Sequence, residues 1–310
     1  MVTAKDIRRR FGSHQALKGI SFTLSDGEII AVMGANGAGK STLFDILATL
    51  DDRYDGTVEV DGANLRRHKK SIRPKIGYVP GKFSLYPDLT LEENLDFFAS
   101  AYDASPSDIE TQSPLLWESL KPFSTYRADR LSGGMKQKLS LCCAMVHSPS
   151  ILLLDEPTVG IDPLSRKDVW NELKNLREKG VSILISTHYL DEATLADKVL
   201  FMHEGSVLLF DTPERILDTY RYTLIEIGIS GEADNATLEN LRKILATTNR
   251  VLDCYAWGNY LHAVAESEQR VEEIAGTCRR EYGTMISVRT IRPTLEDVFM
   301  DTLSQTKNQT

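Results

Sequence analysis

The chain has 310 residues, which is more than one ordinary domain needs and enough for two domains with separate cores. Its composition, 42% hydrophobic and 26% charged, is typical of a folded protein and excludes disorder over most of the length. A net charge of -8 argues against nucleic acid as the main partner, because binding to phosphate backbones requires clustered Lys and Arg.

Short apolar runs alternate with helical patterns over the first two thirds of the chain. Such runs are typical of strands buried on both faces of a parallel sheet, and they occur at residues 28–33, 76–79, 151–154, 181–186 and 198–202. Helical patterns occur at residues 42–50, 162–179 and 190–195, and a mostly helical lobe is expected over about residues 91–145. We therefore predict an α/β domain over residues 1–220, with a mostly parallel core sheet and a helical lobe.

A different pattern begins after a predicted helix at residues 214–220. Residues 221–303 follow the order strand, helix, strand, a turn at Gly258–Asn259, strand, helix, strand and a closing helix. This order predicts a small ferredoxin-like α+β domain. Residues 304–310 are expected to form a disordered tail.

The cysteines and the N-terminus indicate a cytoplasmic chain. The four cysteines show no C-x-x-C spacing, which disfavours a zinc site or a disulfide framework. No stretch approaches the roughly 18 to 20 apolar residues of a membrane span, and the first residues lack the apolar core of a signal peptide. We expect any membrane contact to be supplied by another chain.

A glycine-rich loop follows the first predicted core strand and precedes a predicted helix. Residues 34–42 match the pattern G-x-x-x-x-G-K-[ST], whose backbone N–H groups and helix N-terminus favour phosphate. Lys40 is expected to contact the β and γ phosphates of ATP, and the Ser41 hydroxyl is expected to bind Mg²⁺. The predicted ATP-binding positions of this loop are Gly34, Asn36, Gly37, Ala38, Gly39, Lys40, Ser41 and Thr42.

Acidic residues and a histidine follow two other predicted strands. Asp155 and Glu156 end the apolar run Ile151–Leu154, and His188 follows the run that ends near Ser186. Carboxyl ends of parallel strands share one edge of a sheet, where open α/β folds bind their ligands. We therefore expect Asp155 to bind Mg²⁺ directly or through a water molecule, and Glu156 to accept a proton from the attacking water or to orient it. We expect His188 to hydrogen-bond the γ-phosphate or that water.

The segment Leu131–Gln137, Leu-Ser-Gly-Gly-Met-Lys-Gln, begins a further apolar helix. Ser132 is suited to capping that helix, but an N-cap and an anion site use the same groups, so these residues alone do not decide between the two. Phe11 is likewise compatible with the core or with stacking on a base.

Together these motifs resemble the ATP-binding subunits of ABC transporters over about residues 3–215. The resemblance implies that Ser132, Gly133, Gly134 and Gln137 contact the ATP held by an opposite subunit. It also implies that Phe11 stacks on adenine and that Asp162 belongs to the loop linking the two sites. A second ATP-binding subunit, expected to be a second copy, would then be required for an efficient ATPase.

One position departs from the family pattern. Where these subunits carry a glutamine after Tyr-Val-Pro, this chain has Gly81 followed by Lys82. The resemblance assigns that glutamine to the neighbourhood of Mg²⁺ and the water, and to communication with the membrane partner. We expect nucleotide binding to be intact and turnover to be reduced.

Further sequence similarity points to the ABC-2 exporter branch, whose members include drug, sodium and polysaccharide export ATPases. The similarity lies in three segments, Leu131–Lys138, Ser186–Ala193 and Pro293–Phe299. The branch implies an integral membrane permease as partner and a peripheral location on the inner face of the cytoplasmic membrane. Alternatives are a soluble ATPase of the same superfamily acting on ribosomes or DNA, and a nucleotide-binding regulator with weak hydrolysis.

Overall fold

The computed structural model describes residues 1–229, 235–246, 251–257, 260–283 and 286–307. The chain divides into two compact units, Met1–Pro213 and Glu214–Thr310. This boundary falls earlier than the predicted one at residue 220, because the helix Pro213–Asp218 lies almost entirely in the second unit.

The first unit contains two sheets and their connecting helices. The strands are β1 Val2–Phe11, β2 His14–Leu24, β3 Ile29–Met33, β4 Asp55–Val60, β5 Ala63–Asn64, β6 Ile76–Val79, β7 Ile151–Leu154, β8 Ser182–Thr187, β9 Lys198–His203 and β10 Ser206–Asp211. The helices are α1 Lys40–Leu47, α2 Lys69–Ile72, α3 Leu91–Ala101, α4 Ile109–Gln112, α5 Pro114–Leu120, α6 Gly133–Met145, α7 Pro163–Glu178 and α8 Leu190–Ala193.

The core sheet has the strand order β10-β9-β3-β8-β7-β6. Its neighbouring strands are parallel except for the β9–β10 pair at one edge. Every residue of β3, β7 and β8 is buried, which is why β3 and β7 are continuous apolar runs in the sequence and β8 is apolar over Ile183–Ile185. The predicted mostly parallel core sheet is confirmed, and its carboxyl edge brings together the loops after β3, β7 and β8.

A second, antiparallel sheet has the order β2-β1-β4-β5 and was not predicted. The pairing of β1 with β2 shifts register between Ala4 and Ile7, where Asp6 has a φ of 50°. Because each shift moves the following side chains to the other face, the apolar alternation of β1 is interrupted. The buried position of Arg9 obscures the pattern further.

The helices from α3 to α6 form the lobe that joins β6 to β7 along the chain. Helix α3 begins with a capping box, in which Thr90 and Glu93 each accept a backbone hydrogen bond from the other. The fully buried Asn94 donates to the carbonyl oxygens of Tyr86 and Leu89 and accepts from the backbone N–H of Tyr86. These bonds hold the loop before α3 in a fixed path beside the lobe.

The second unit begins with α9, Pro213–Asp218. It continues with β11 Thr223–Ile229, α10 Asn235–Ala246, β12 Val251–Trp257, β13 Tyr260–Ala265, α11 Val271–Tyr282, β14 Ile286–Ile291 and α12 Leu295–Lys307. The sheet order β12-β13-β11-β14, with antiparallel neighbours, is the order of a ferredoxin-like βαββαβ fold. Its core includes Leu241 of α10 and Ile274 of α11 packed with Ile225 and Ile227 of β11.

The C-terminal helix of the second unit is longer than the sequence predicts. Helix α12 extends to Lys307, so residues 304–307 are helical and not part of a disordered tail. Residues 308–310 and the predicted turn at Gly258–Asn259 lie outside the described residues. Among the helices of the described ranges, none has both the length and the apolar character that crossing a bilayer requires.

Candidate nucleotide-binding site

The glycine-rich loop connects β3 to α1, as the sequence predicts. Gly34, Gly37 and Gly39 have φ angles of 155°, 82° and 101°, which favour glycine. A Cβ atom on Gly39 would lie 2.6 Å from the carbonyl oxygen of Ala16, so the loop packs tightly on β2. A Cβ atom on Gly37 would meet nothing within 4 Å, which leaves space on the other side of the loop.

Lys40 is the buried cation of this loop, with 4% of its surface exposed. Its Nζ atom donates to the carbonyl oxygens of Gly34 and Ala35, at 2.7 and 3.3 Å, and lies 3.5 Å from Oε1 of Glu156. Burial lowers the pKa of Lys40, and the charge of Glu156 opposes that effect. The loop thus holds an ammonium group ready to pair with an anion.

The carboxyl ends of β7 and β8 bring the predicted catalytic residues together. Nε2 of His188 lies 2.6 Å from Oε1 of Glu156, so the Glu156 carboxylate lies between His188 and Lys40. The backbone N–H of Glu156 donates to Oγ of Ser186 at 2.7 Å, and that hydroxyl donates to Oδ1 of Asp155 at 2.6 Å. Glu156, two residues beyond the end of β7, adopts a φ of 54°, which is uncommon for a residue with a side chain.

The donor set of this edge fits Mg²⁺ bound together with phosphate. No group of three or more His, Cys, Asp or Glu suited to holding a metal occurs among the described residues. Mg²⁺ commonly uses one or two carboxylates and completes its octahedral coordination with water and substrate phosphates. Asp155 is 5% exposed and has one carboxylate oxygen bonded to Ser186, while Ser41 is exposed in the first turn of α1.

A cavity of about 240 Å³ lies over the phosphate loop. It is lined by Phe11, His14, Ala16, Asn36, Gly37, Gly39, Lys40, Ser41, Thr42 and Glu156. Phe11 is 47% exposed, and the guanidinium carbon of Arg9 lies 4.0 Å from the centre of its ring. The cavity therefore combines an accessible aromatic ring with the phosphate loop. Sequence reasoning missed His14 and Ala16, because the strand β2 that carries them was not predicted.

The predicted signature residues lie elsewhere in the unit. Ser132 caps α6 by accepting the backbone N–H of Met135 at 3.3 Å, and both Ser132 and Gly133 are exposed. The cavity lining of the phosphate loop includes none of residues 132–137 and does not include Asp162. One chain thus presents two separate halves of the predicted site.

Asp162 caps α7 and lies beside the signature. Its Oδ1 accepts the backbone N–H of Ser165 at 2.9 Å, and this hydrogen bond lowers the pKa of Asp162. A Cβ atom on Gly134 would lie 2.9 Å from Cβ of Ser165, and one on Gly133 would lie 3.3 Å from the carbonyl oxygen of Gly160. Close packing against Ser165 in the first turn of α7 therefore favours glycine at position 134, and Gly133 lies close to the loop that precedes α7.

A buried carboxylate behind the predicted catalytic residues was missed by sequence reasoning. Glu192 is 1% exposed, and its Oε2 accepts hydrogen bonds from Thr187 at 2.5 Å and Thr158 at 2.9 Å. Its Oε1 lies 3.3 Å from Nε of Arg166 on α7. Because Thr187 immediately precedes His188, this network fixes the backbone that carries the histidine.

Gly81 lies against the Mg²⁺-binding candidate. A Cβ atom at this position would lie 3.2 Å from the carbonyl oxygen of Asp155 and 3.6 Å from its Oδ2. A longer side chain at position 81 would therefore begin next to the carboxylate of Asp155. Asp155 also influences Asp45: burial raises the pKa of the Asp45 carboxyl, and the charge of Asp155 raises it further.

Known proteins resemble this chain in sequence and in fold. The ABC transporter family model matches residues 17–159. The daunorubicin resistance ATP-binding protein DrrA2 of Streptomyces coeruleorubidus is 30% identical over 308 residues, which cover 96% of this chain and 94% of DrrA2. A solved dimeric structure of the ATP-binding cassette MJ0796, bound to ADP and Pi in a post-hydrolysis state, is similar with a TM-score of 0.61 and 27% identity. The similar region covers 68% of the present chain and 98% of the MJ0796 chain.

The chain belongs to the ABC transporter family and has the fold of its ATP-binding subunits. The probable multidrug ABC transporter ATP-binding protein YbhF of Escherichia coli is 37% identical over 218 residues. That match covers 69% of this chain but 37% of YbhF, so this chain spans little more than a third of that relative. The similarity to DrrA2, in contrast, extends through the second unit.

Proposed function

We propose that the chain is the ATP-hydrolysing subunit of an ABC-2 type exporter, acting as a dimer on a separate membrane permease. The observation that carries the proposal is the division of the site: Lys40, Glu156 and His188 lie together, whereas Ser132 lies exposed outside their cavity. A second copy that places its Ser132 over the phosphate loop completes the site. The names of YbhF and DrrA2 refer to multidrug transport and daunorubicin resistance and support export.

In this proposal the residues of the phosphate loop bind ATP, and those at the edge of the core sheet act on Mg²⁺ and the attacking water. Lys40 and the backbone N–H groups of the loop bind the β and γ phosphates, and Phe11 stacks on adenine. Ser41 and Asp155 hold Mg²⁺, which neutralises phosphate charge when bound. Glu156 accepts a proton from the attacking water or orients it, and His188 holds the Glu156 carboxylate through their 2.6 Å contact.

Dimer formation is tested with a chain that retains ATP. Glu156→Gln keeps the shape of the side chain but removes its basic carboxylate, so ATP·Mg²⁺ remains bound and the dimer accumulates. Adding Ser132→Arg to that background places a bulky cation in the interface and returns the chain to a monomer. The control is Ser107→Arg, another exposed serine of the helical lobe. Sedimentation velocity with ATP and Mg²⁺ distinguishes the species, and a monomeric Glu156→Gln chain would contradict the proposal.

The permease contact is proposed at a groove of about 390 Å³ between the core and the helical lobe. It is lined by the segment that follows α1, by residues of β6 and α6, by the loop after β6 and by the end of α3. Tyr102 lines the groove, is exposed, and stacks on His147 with ring centres 3.9 Å apart. Phe83, Tyr86 and Phe97 are exposed on the same lobe or the loop before it. Exposed aromatic groups of this kind mark protein interfaces.

Membrane fractionation tests this contact and the location on the inner face of the cytoplasmic membrane. The chain should sediment with membranes when its permease is co-expressed and remain in the supernatant when expressed alone. Tyr102→Glu should release it, whereas Leu115→Glu, an exposed apolar position of the lobe outside the groove, should not. Sedimentation that is independent of the permease would contradict the proposal.

Gly81 favours a second candidate, a nucleotide-binding regulator with weak hydrolysis. The missing side chain next to Asp155 is the specific observation behind it. ATP turnover measured beside Glu156→Gln separates the two functions. A clear difference between their rates supports the transport ATPase, and equal rates support the regulator.

A further inference from the structure

The second unit contains a cavity of about 240 Å³ that has no part in the nucleotide site. Its walls are formed by the segment before β11, by β12 and by α12. Three tyrosines and three aspartates are among its lining residues: Tyr220, Tyr222, Tyr255, Asp253, Asp297 and Asp301. This combination of aromatic rings and carboxylates differs from the apolar core of the unit.

The tyrosines form walls at fixed angles. The rings of Tyr220 and Tyr222 meet edge to face, with centres 5.9 Å apart and planes at 84°. The hydroxyl of Tyr255 donates to Asp297, which fixes the third ring. All three tyrosines are half-buried and line the cavity.

Three carboxylates surround these rings; His262 lies 4.0 Å from Asp297, and Arg242 and Lys243 line a neighbouring pocket together with Asp253. Asp297 is almost fully buried and accepts from Tyr255 and from the backbone and hydroxyl of Thr294. Asp301 accepts an amide hydrogen bond from Gln305, and Asp253 accepts one from its neighbouring backbone N–H. Among the described residues, no Lys or Arg ion pair involves any of these three aspartates.

The cavity therefore has a negative potential. Burial raises the pKa of Tyr220, and the charges of Asp297, Asp301 and Asp253 raise it further. Burial and its hydrogen bond to Asp297 raise the pKa of Tyr255 as well, so Tyr220 and Tyr255 remain neutral at physiological pH and keep their electron-rich faces. An electron-rich aromatic face attracts cations, most strongly where water is partly excluded.

We propose that this cavity binds a small organic cation, an ammonium group with an apolar body. The perpendicular rings of Tyr220 and Tyr222 contact the alkyl groups around the charged nitrogen, and Asp301 and Asp253 supply the compensating charge. The exposed apolar side chains Leu252 and Met300 line the same cavity and suit the uncharged part of the ligand. An inorganic cation would leave these apolar and aromatic walls without a contact.

Calorimetric titration of the full-length chain with choline tests the proposal. The matched probe is 3,3-dimethylbutan-1-ol, which has the same shape but carries carbon in place of the charged nitrogen. We expect choline to bind with a dissociation constant of about 1 mM or tighter and the neutral alcohol to bind at least about tenfold more weakly. Equal affinity for the two probes, or no heat from choline at about 10 mM, would overturn the proposal.

Two variants locate the binding, and one serves as control. Tyr222→Leu removes an aromatic wall and Asp301→Asn removes a charge, and each should weaken choline binding by about tenfold. Glu281→Gln removes an exposed carboxylate of the same unit outside the cavity and should leave binding unchanged. Circular dichroism melting checks that each variant is folded. Unchanged affinity in a folded Tyr222→Leu chain, or an equal response to MgCl₂ and to choline, would also overturn the proposal.

Discussion

Restoring a side chain at position 81 tests the most unusual feature of the nucleotide site. The family resemblance implies a glutamine there that approaches Mg²⁺ and the attacking water, and this chain has Gly81. The backbone of Gly81 is outside the left-handed region, so a larger residue is compatible with it. Its Cβ atom would lie 3.2 Å from the carbonyl oxygen of Asp155, a contact that a shift of a few tenths of an ångström relieves. We therefore expect Gly81→Gln to fold.

The size of the effect follows from the hydrogen bond that the new amide makes. A Cβ atom 3.6 Å from Oδ2 of Asp155 starts the side chain of the introduced glutamine beside the carboxylate proposed to hold Mg²⁺. A net hydrogen bond of about 0.5–1.5 kcal/mol, made in the transition state and not in the ground state, raises kcat about two- to thirteenfold. We expect an increase of about fivefold, with KM for ATP little changed.

The assay is steady-state phosphate release at saturating ATP and Mg²⁺, compared with wild type and with Gly81→Ala. The alanine variant adds the same Cβ contact without the amide, so its rate should not exceed that of wild type. A Gly81→Gln rate equal to the wild-type rate would refute the reasoning. An equal rise in Gly81→Ala would show that packing against Asp155, and not the amide, changes the rate.

Three further predictions concern the rest of the first unit. Phe11→Ala should raise KM for ATP about tenfold, because it removes the ring that stacks on adenine, whereas Phe11→Tyr should keep the wild-type KM. Equal KM values for Phe11→Ala and wild type would contradict this prediction. Glu192→Gln should lower the free energy of unfolding in urea by about 2–3 kcal/mol, because Arg166 loses its charged partner. Adding Arg166→Met to that variant should recover part of the lost stability. Gly134→Ala should cost about 1–3 kcal/mol in the same measurement, with relief from Ser165→Gly but little from Ser165→Ala, since the clash includes Cβ of residue 165.

The core sheet and the phosphate loop were predictable because their signals are local. Strands buried on both faces are continuous apolar runs, as in Ile29–Met33 and Ile151–Leu154, and the loop follows the first of them directly. Parallel pairing then places the ends of β7 and β8 at one edge, which is how Glu156 and His188 meet. The predicted fold class and family were confirmed on this basis.

The parts that were missed depend on contacts between distant residues. Glu192 bonds Thr158, which is 34 positions away, and nothing in the local pattern of either residue indicates the pair. The sheet containing β1 and β2 was hidden by register shifts, so His14 was not expected beside the phosphate loop. A residue that contributes through tertiary contacts leaves no periodic signal along the sequence.

Helix α7 is the element that contacts both halves of the divided site. Its first turn is capped by Asp162 and packs on Gly134 of the signature, and Arg166 of the same helix contacts Glu192, which bonds the residue that precedes His188. A second subunit bound over the signature, as proposed, would therefore contact one end of a helix whose neighbouring turn supports the predicted catalytic histidine, His188. If the helix transmits that contact, the effects of Gly134→Ala and Arg166→Met on kcat should be non-additive, since coupling energy is what a double-mutant cycle measures. Additive effects would mean that the two halves act through separate contacts.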